Sequence, residues 1–593
     1  MAFRCETVAA LPLSKWSLGI LNPSDGRDVP GTVQLLPSSS KDASNTGPRQ
    51  STSSTQKADD APTPTPKDDG GNIAQAQKLS KDGSIILFPQ PDESPNDPLN
   101  WPAWRRNLCL LSVGFFSMLG GGITPLIAAG FTDVSAEFDV AVERVALTIG
   151  FTMMGLGVGA VLISPLAIMF GKRPVYLFTS IIVGITCVWA AVAPNFGALL
   201  AARVFQGVAA SSVECLPSAS IAEIFFLHER ANRLGIYTLM LLGGRNLVPL
   251  VSAAVIGSLG WRWVFWIMAI AVALAAVLIF FLVPETYWDR TGTENKDKVT
   301  LKDGTITPTL TDAKIAPDYS DTEAGRGSPQ EKHNADGSTP LEARLSFMQE
   351  LKVLRGRLSN DQWHRIAVRP FVLFMYPAIL WSAIVYAFSI GWLIVISETV
   401  AIIYRSKSGY DFTALQTGLV YLSPFIGGVT GSFVAGKASD AVVKVMARRN
   451  GGIYEPEFRL VMTVPVLVSM VAGLIGYGWS AGEKVHWAAP TVFFGAISFG
   501  CSLGSTTAIN FALDSYRAYA GEALVAMNLS KNIFHGLVFS LFVTRWMAAD
   551  GSKDVFVWVG AIHVIVLMST VPMYIFGKRT RAWTARVNPM GKL

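Results

Sequence analysis

Twelve long apolar runs alternate with short polar stretches along this chain, and one longer polar stretch divides them six and six. The first six lie between Asn107 and Pro284, the second six between Phe371 and Phe576. A helix needs about 20 apolar residues to cross a bilayer, and it satisfies its own backbone hydrogen bonds where lipid offers none. The pattern therefore predicts an all-α, polytopic membrane protein. Its twelve transmembrane helices fall near residues 107–130, 143–164, 175–193, 197–222, 235–257, 262–283, 371–397, 414–436, 458–478, 488–512, 521–545 and 554–577.

The division predicts two six-helix bundles, 97–284 and 371–577, with a site between them as in transporters built from repeats. Residues 1–96 are rich in Ser, Thr, Pro, Asp and Lys, with runs at Ser51–Thr55 and Pro62–Pro66. Such a segment buries too little apolar area to fold alone, so a disordered tail is expected. Residues 285–370 form a central loop whose middle, Thr305 to Ser338, has the same character. Its end, Leu345 to Leu354, has helical spacing and suits a helix lying along the membrane surface. A short tail, 578–593, closes the chain.

Composition agrees with this reading. Half of the residues are hydrophobic and only 16% are charged, against about 25% in soluble proteins. Basic residues collect on one side: Arg105 and Arg106, Lys172 and Arg173, Arg230 and Arg233, Lys437 and Lys444, Arg448 and Arg449, and Lys578, Arg579 and Arg581. Arg405, Lys407 and Lys484 are exceptions in the alternate loops. The positive-inside rule then puts both termini and the central loop in the cytosol, and a plasma-membrane location is expected. The five cysteines have no metal or redox spacing, so no disulfide framework, metal or cofactor is expected. Nucleic acid is not an expected partner; lipid is. There is no GxxxxGK[ST] loop and no HExxH cluster, which argues against an ATP-driven pump and against a membrane enzyme.

Short motifs recur at matching places. SPLAIMFGKRPV (Ser164 to Val175) follows the second run, with Gly171, Lys172 and Arg173 at its turn, and GKASD (Gly436 to Asp440) follows the eighth. ARVFQG (Ala202 to Gly207), GGRNLVP (Gly243 to Pro249), GWRWVFW (Gly260 to Trp266) and PET (Pro284 to Thr286) mark the first half. EPEFRL (Glu455 to Leu460), DSYR (Asp514 to Arg517) and KN (Lys531, Asn532) mark the second, and DPLNW (Asp97 to Trp101) precedes both. Their order resembles the major facilitator superfamily, and within it the fungal drug:proton-antiporter-type branch near the histidinol and polyamine permease group. Ser164 and Ile168 replace the Gly and Asp usual in the first loop, while Asp440 is kept in the second. The resemblance implies the major facilitator fold, a small-molecule substrate, and proton-coupled alternating access. It also implies gating roles for Gly171, Lys172, Arg173, Asp440, Asp514 and Arg517; for the last two a purely structural role stays open.

Charges at bilayer depth are costly and so are functional candidates. On the fourth helix Arg203, Gly207, Ala210 and Glu214 share a face. Arg203 and Glu214 lie about 16 Å apart along the axis, so each needs a partner elsewhere or water. Glu214 is the candidate proton carrier, with a fixed ion pair to Arg245 as the alternative. Arg245, one turn before Pro249, either holds a substrate carboxylate or neutralises Glu214. Asn528, Lys531 and His535 share one face of the eleventh helix; Lys531 is expected in the cavity, or else against helix carbonyls or Asp514. Gln206 and Asn246 complete the cavity candidates. Trp381, Tyr386 and Trp392 would line a pocket or face lipid. The glycines Gly155 and Gly159 suit close helix packing, and Gly120 to Gly122 a bend of the first helix. His535 and His563 also read as packing residues. An excess of basic groups over Glu214 favours an anionic, zwitterionic or neutral organic compound, with export as the expected direction. Uptake of organic cations or polyamines, and a transporter-like nutrient sensor, stay open.

Overall fold

The structure, a computed structural model, describes residues 16–23, 29–34, 91–92, 94–288, 300–302, 305–307, 344–354, 356–359, 361–406 and 409–592. The Ser- and Pro-rich runs of the N-terminal tail, most of the central-loop stretch expected to be disordered, and Lys407 lie outside them.

The first half contains helix 1 (Ala103–Ile123), helix 2 (Val142–Phe170), helix 3 (Lys172–Ala191), helix 4 (Phe196–Ile224), helix 5 (Leu227–Leu259) and helix 6 (Trp261–Leu282). The second contains helix 7 (Pro377–Arg405), helix 8 (Ala414–Arg449), helix 9 (Pro456–Gly482) and helix 10 (Ala488–Ser515). Helix 11 starts at Ala520, passes through a π turn at Phe534–Phe539, and ends at a kink at Gly551, where φ is 80°. Helix 12 follows and continues to Val587. Eleven segments among the described residues are long and apolar enough to cross a membrane. Helix 11 is the remaining one of the twelve: its π turn divides it, and it carries Asn528, Lys531, Asn532 and His535.

Helix packing repeats with a shift of six. Helix 1 packs on helix 5 as helix 7 packs on helix 11. Helix 2 packs on helix 4 as 8 on 10, and helix 3 on helix 6 as 9 on 12. Across the halves, helix 2 meets helix 11 and helix 5 meets helix 8. The glycines expected to pack do so: ideal Cβ atoms at Gly155 and Gly159 would come within 2.3 and 2.4 Å of helix 4 carbonyl oxygens. Gly121 likewise packs on helix 5, and helix 1 runs unbroken through Ile123.

Several boundaries differ from expectation by a turn or more, among them the end of helix 1 at Ile123, the start of helix 5 at Leu227 and the end of helix 7 at Arg405. Helix 7 begins at Pro377, which suits the first turn because it has no N–H to leave unpaired; an amphipathic helix, Trp363–Val372, precedes it. Helix 8 continues past residue 436 to Arg449. The tail expected from 578 is helix up to Val587, because Lys578 and Arg581 are buried against Glu455 and Glu457. The helix expected at Leu345–Leu354 is a single turn, Phe347–Glu350, closed by a Ser346–Gln349 capping box. Beyond it, a two-stranded pairing, Thr300–Lys302 with Thr305–Thr307, lies in the central loop.

The start of helix 1, the end of helix 2, the start of helix 3 and the central loop meet on one face. Arg105 pairs with Glu350 at 2.5 Å, and Arg173 donates to the Glu350 carbonyl at 2.7 Å. This is called the terminal face below. Two stretches of the N-terminal tail lie there on the second half. Val33–Gln34 pairs antiparallel with Ile453–Tyr454, and Tyr574 donates to the Leu18 carbonyl at 2.8 Å. These two stretches thus take hydrogen-bond partners from the bundle, while Trp16–Ser17 pairs with Ile20–Leu21 within the first of them.

Candidate functional site

Helix 4 breaks in mid-course. Its segments are Phe196–Ala210, Ser212–Cys215 and Pro217–Ile224. Pro217 has no N–H to give the Val213 carbonyl four residues earlier. That carbonyl instead accepts from the Tyr237 hydroxyl of helix 5 at 3.1 Å. A broken helix is tolerated at membrane depth where neighbours take up the freed backbone groups. The break holds Glu214 at the contact between the halves.

Glu214 is a hub. Lys531 Nζ of helix 11 lies 2.5 Å from Oε1, and Arg245 Nη2 of helix 5 lies 2.9 Å from the same oxygen. Asn532 donates to Oε2 at 2.9 Å, and Asn528 to the Glu214 main-chain oxygen at 3.4 Å. Tyr386 of helix 7 donates to Asn528 at 3.1 Å, and its ring lies 5.9 Å from Lys531 Nζ. One carboxylate therefore meets two cations, one from each half. The Lys531 side chain is fully buried, whereas that of Arg245 keeps 22% exposure, so the cluster has a wet edge. Asn532 was visible in the sequence only as part of the KN pair; its spacing of four from Asn528 places both on one helix face.

Other expected cavity residues are engaged elsewhere. Arg203 is fully buried and donates to the carbonyls of Ile123 and Thr124, each at 2.8 Å, and to Gln206 at 2.7 Å. It caps the end of helix 1, where a cation meets unsatisfied carbonyls. Gln206 also donates to the Cys187 sulfur, and Asn246 to the Leu242 carbonyl of its own helix. These three are thus no part of the Glu214 cluster. Trp381 packs edge-on against Phe511 and Trp392 stacks on Phe539 at 4.5 Å; both are buried. Pro249 sits inside an unbroken helix 5.

His535 lies one turn beyond Lys531 but turns away from Glu214. Its Nε2 is 2.9 Å from Glu398 Oε1 on helix 7, and the Ser540 hydroxyl donates to that oxygen at 2.6 Å. Glu398 was not among the expected residues. The available signal was an acid within the apolar run Pro377–Tyr404.

The terminal face carries the expected gating residues in two related networks. In the first half, the backbone N–H groups of Lys172 and Arg173 both donate at 3.1 Å to Glu285 of the PET motif. Lys172 also pairs with Glu223 at 2.6 Å. An anion at a helix N-terminus satisfies its free donors. Gly171 has φ 95°, and a Cβ there would sit 2.3 Å from Glu285 Oε2, so only glycine fits. In the second half, Arg459 at the start of helix 9 pairs with Asp514 at 2.5 Å and approaches Asp440 at 3.8 Å. Burial, reinforced by the Asp514 carboxylate, holds the Tyr454 phenol well above its usual range, and it donates to Asp514 at 2.6 Å. Glu455 and Glu457 meet Lys578 and Arg581. Signs are thus reversed between the halves: an acid after helix 6 caps helix 3, while bases at the end of helix 12 hold acids at the start of helix 9. Arg517 is exposed and stands apart.

On the opposite face the halves are closed. Arg405 at the end of helix 7 pairs with Asp133 at 2.6 Å and donates to the Ala129 carbonyl. Gly418 of helix 8 packs on Ala253 of helix 5, and Gly150 of helix 2 on Ser540 of helix 11.

Comparison with known proteins shows the family and the fold. The family profile described as Major Facilitator Superfamily matches residues 110–539. The chain is 27% identical to the uncharacterized MFS-type transporter C1271.10c of Schizosaccharomyces pombe, covering 86% of this chain and 90% of that protein. It is 25% identical to Protein HOL1 of Saccharomyces cerevisiae, over 87% and 93% of the two. With MFS transporter cpaT of Aspergillus oryzae the figures are 26%, 85% and 94%. Among solved structures, a partially occluded inward-open form of the xylose transporter XylE from E. coli superimposes with a TM-score of 0.54 at 13% identity, covering 80% of this chain and 98% of that one. At that identity the likeness speaks for the fold alone. The chain belongs to the major facilitator superfamily and is a multi-pass membrane transporter, not an enzyme.

Proposed function

We infer that the protein exports a small organic compound in exchange for protons, with Glu214 as the group that both ligands contest. The observation that carries this reading is the single carboxylate held by Lys531 and Arg245 from opposite halves. Exchange requires that proton and substrate exclude one another. A substrate that donates a hydrogen bond to Glu214 and presents an acceptor or anionic group to Arg245 or Lys531 meets that requirement. Protonation of Glu214 removes the acceptor and releases the substrate. A zwitterion or a neutral donor–acceptor compound fits this pattern. A polyamine fits poorly, because two cations already surround the one acid.

The basic residues of the terminal face support a cytosolic placement of that face, with both termini inside and the plasma membrane as the site of action. The motif order, with DPLNW, the KN pair and Pro249, supports the fungal drug:proton-antiporter-type branch.

The test is untargeted profiling of metabolites inside and outside cells carrying wild-type protein, Glu214→Gln or none. Wild type is expected to deplete a compound inside and enrich it outside, with the enrichment lost in Glu214→Gln and on collapse of the pH gradient by a protonophore. Proton-dependent accumulation of spermidine inside wild-type cells, lost in Glu214→Gln, would overturn the reading.

A further inference from the structure

Glu398 is an acid in the middle of a protein interior, and the export reading does not use it. Its side chain and that of His535 are both fully buried. Oε1 faces His535 Nε2 at 2.9 Å and accepts from Ser540 at 2.6 Å. Oε2 and His535 Nδ1 have no partner among the described residues. A carboxylate with one oxygen unpaired in a dry interior is costly, and so is a half-satisfied imidazole. Such a pair is retained where its charge has to change.

The surroundings add a mechanical reason. His535 lies within the π turn Phe534–Phe539, and π turns inside helices concentrate at functional sites. Phe539 ends that turn, stacks on Trp392 and fills the hollow above Gly391, where an ideal Cβ would come 2.3 Å from its ring. Ser540 touches helix 2 of the other half at Gly150. The pair thus sits one side chain from the contact that must part when the opposite face opens.

Other ionisable groups near it are engaged. Tyr421 of helix 8 donates to the Ser397 carbonyl beside Glu398. Arg405, two turns further along helix 7, is paired with Asp133 from the first half. Lys531, one turn earlier on helix 11, is held by Glu214. Tyr404 of helix 7 hydrogen-bonds Thr491 of helix 10. Helix 2 approaches through Gly150; its Glu143 lies two turns nearer the opposite face. No third His, Cys, Asp or Glu joins the pair among the described residues, so it is no metal site.

We propose that Glu398 and His535 form a second proton-binding site, separate from Glu214 and gated by the opposite face. Unloaded, the pair is a carboxylate beside a neutral imidazole. Loading adds one proton from water at Glu398 Oε2, the carboxylate oxygen without a partner among the described residues, and the pair becomes net neutral; unloading returns that proton to water. Placed one turn beyond Lys531 along helix 11, the site gives a proton entering from the opposite face a first resting point.

Infrared difference spectroscopy of the full chain in lipid bilayers, titrated with acid, tests this without any substrate. Glu398→Gln is expected to remove one titrating carboxyl band that Glu214→Gln leaves in place. His535→Leu, which removes a hydrogen-bond donor to the carboxylate, is expected to move that band's midpoint up by about one pH unit or more. Should Glu398→Gln fold poorly, the His535→Leu shift decides alone. A wild-type titration that Glu398→Gln and His535→Leu both leave unchanged overturns the proposal. Loss of a band in Glu214→Gln bears only on the export reading.

Discussion

Lys531 and Glu214 meet across the two halves of the molecule, with Nζ 2.5 Å from Oε1 and both side chains nearly or fully buried. Neither helix 4 nor helix 11 holds this contact alone, since each brings one charge to a dry interface. Breaking a buried pair on one side leaves the other charge uncompensated, at a cost of about 3–5 kcal/mol. Arg245 softens that cost here because it also reaches Glu214. Lys531→Met is therefore expected to destabilise the folded protein by about 2–4 kcal/mol. The double variant Glu214→Gln, Lys531→Met is expected to recover part of the loss. Chemical unfolding in bilayers, read as a double-mutant cycle, checks both; strict additivity would show that the two side chains do not interact.

Tyr237 and Pro217 form a second coupled pair, because the hydroxyl serves the carbonyl that the proline strands. Tyr237→Phe is expected to cost about 1–3 kcal/mol by orphaning the Val213 oxygen. Pro217→Ala in the same chain restores a backbone donor and is expected to reduce that cost. Thermal unfolding of the two singles and the double decides it; an equal loss for Tyr237→Phe in both backgrounds contradicts the assignment.

Gly171 allows a direct steric test. Gly171→Ala forces a side chain into left-handed backbone and onto Glu285. A loss of about 2–4 kcal/mol is expected, combining backbone strain with a displaced helix cap. Glu285→Gln keeps the shape and weakens only the charge, so its loss should be smaller. Melting curves ranking the two the other way would contradict the cap.

Arg203 separates a structural from a binding role. Arg203→Gln removes the cation from the end of helix 1 and leaves two carbonyls short of donors, so reduced folded yield and melting temperature are expected. The protein that does fold should keep the pH dependence of transport. A variant with normal stability and altered pH dependence would instead put Arg203 in the proton path.

Much of this architecture was legible because the bilayer imposes it. Hydropathy alone gives the run count, and the basic residues mark one face. Helix 11 shows where the pattern weakens: Lys531, Asn532 and His535 interrupt the apolar run because they serve neighbours, and the π turn cannot be read from periodicity. The partners of Arg203 were not legible, because a buried arginine looks the same in sequence whether it faces a cavity or the carbonyls of another helix. Glu398 went unseen for a related reason. It is a single acid near the end of a long apolar run, and only the fold brings His535 and Ser540 to it. Motif position drew attention to the residues of the terminal-face networks, but the reversal of signs between the halves depends on Glu285, Lys578 and Arg581, which lie far from their partners in sequence.

The central claim is that the charge of Glu214 holds the halves together and its neutralisation releases them. Spin labels at Ser258→Cys and Leu415→Cys, both exposed on the opposite face at the ends of helices 5 and 8, report that separation. Pulsed dipolar spectroscopy in bilayers at neutral pH is expected to show one short distance in the wild-type background and an added longer population when Glu214→Gln is introduced. Identical distance distributions in the two backgrounds would contradict the account.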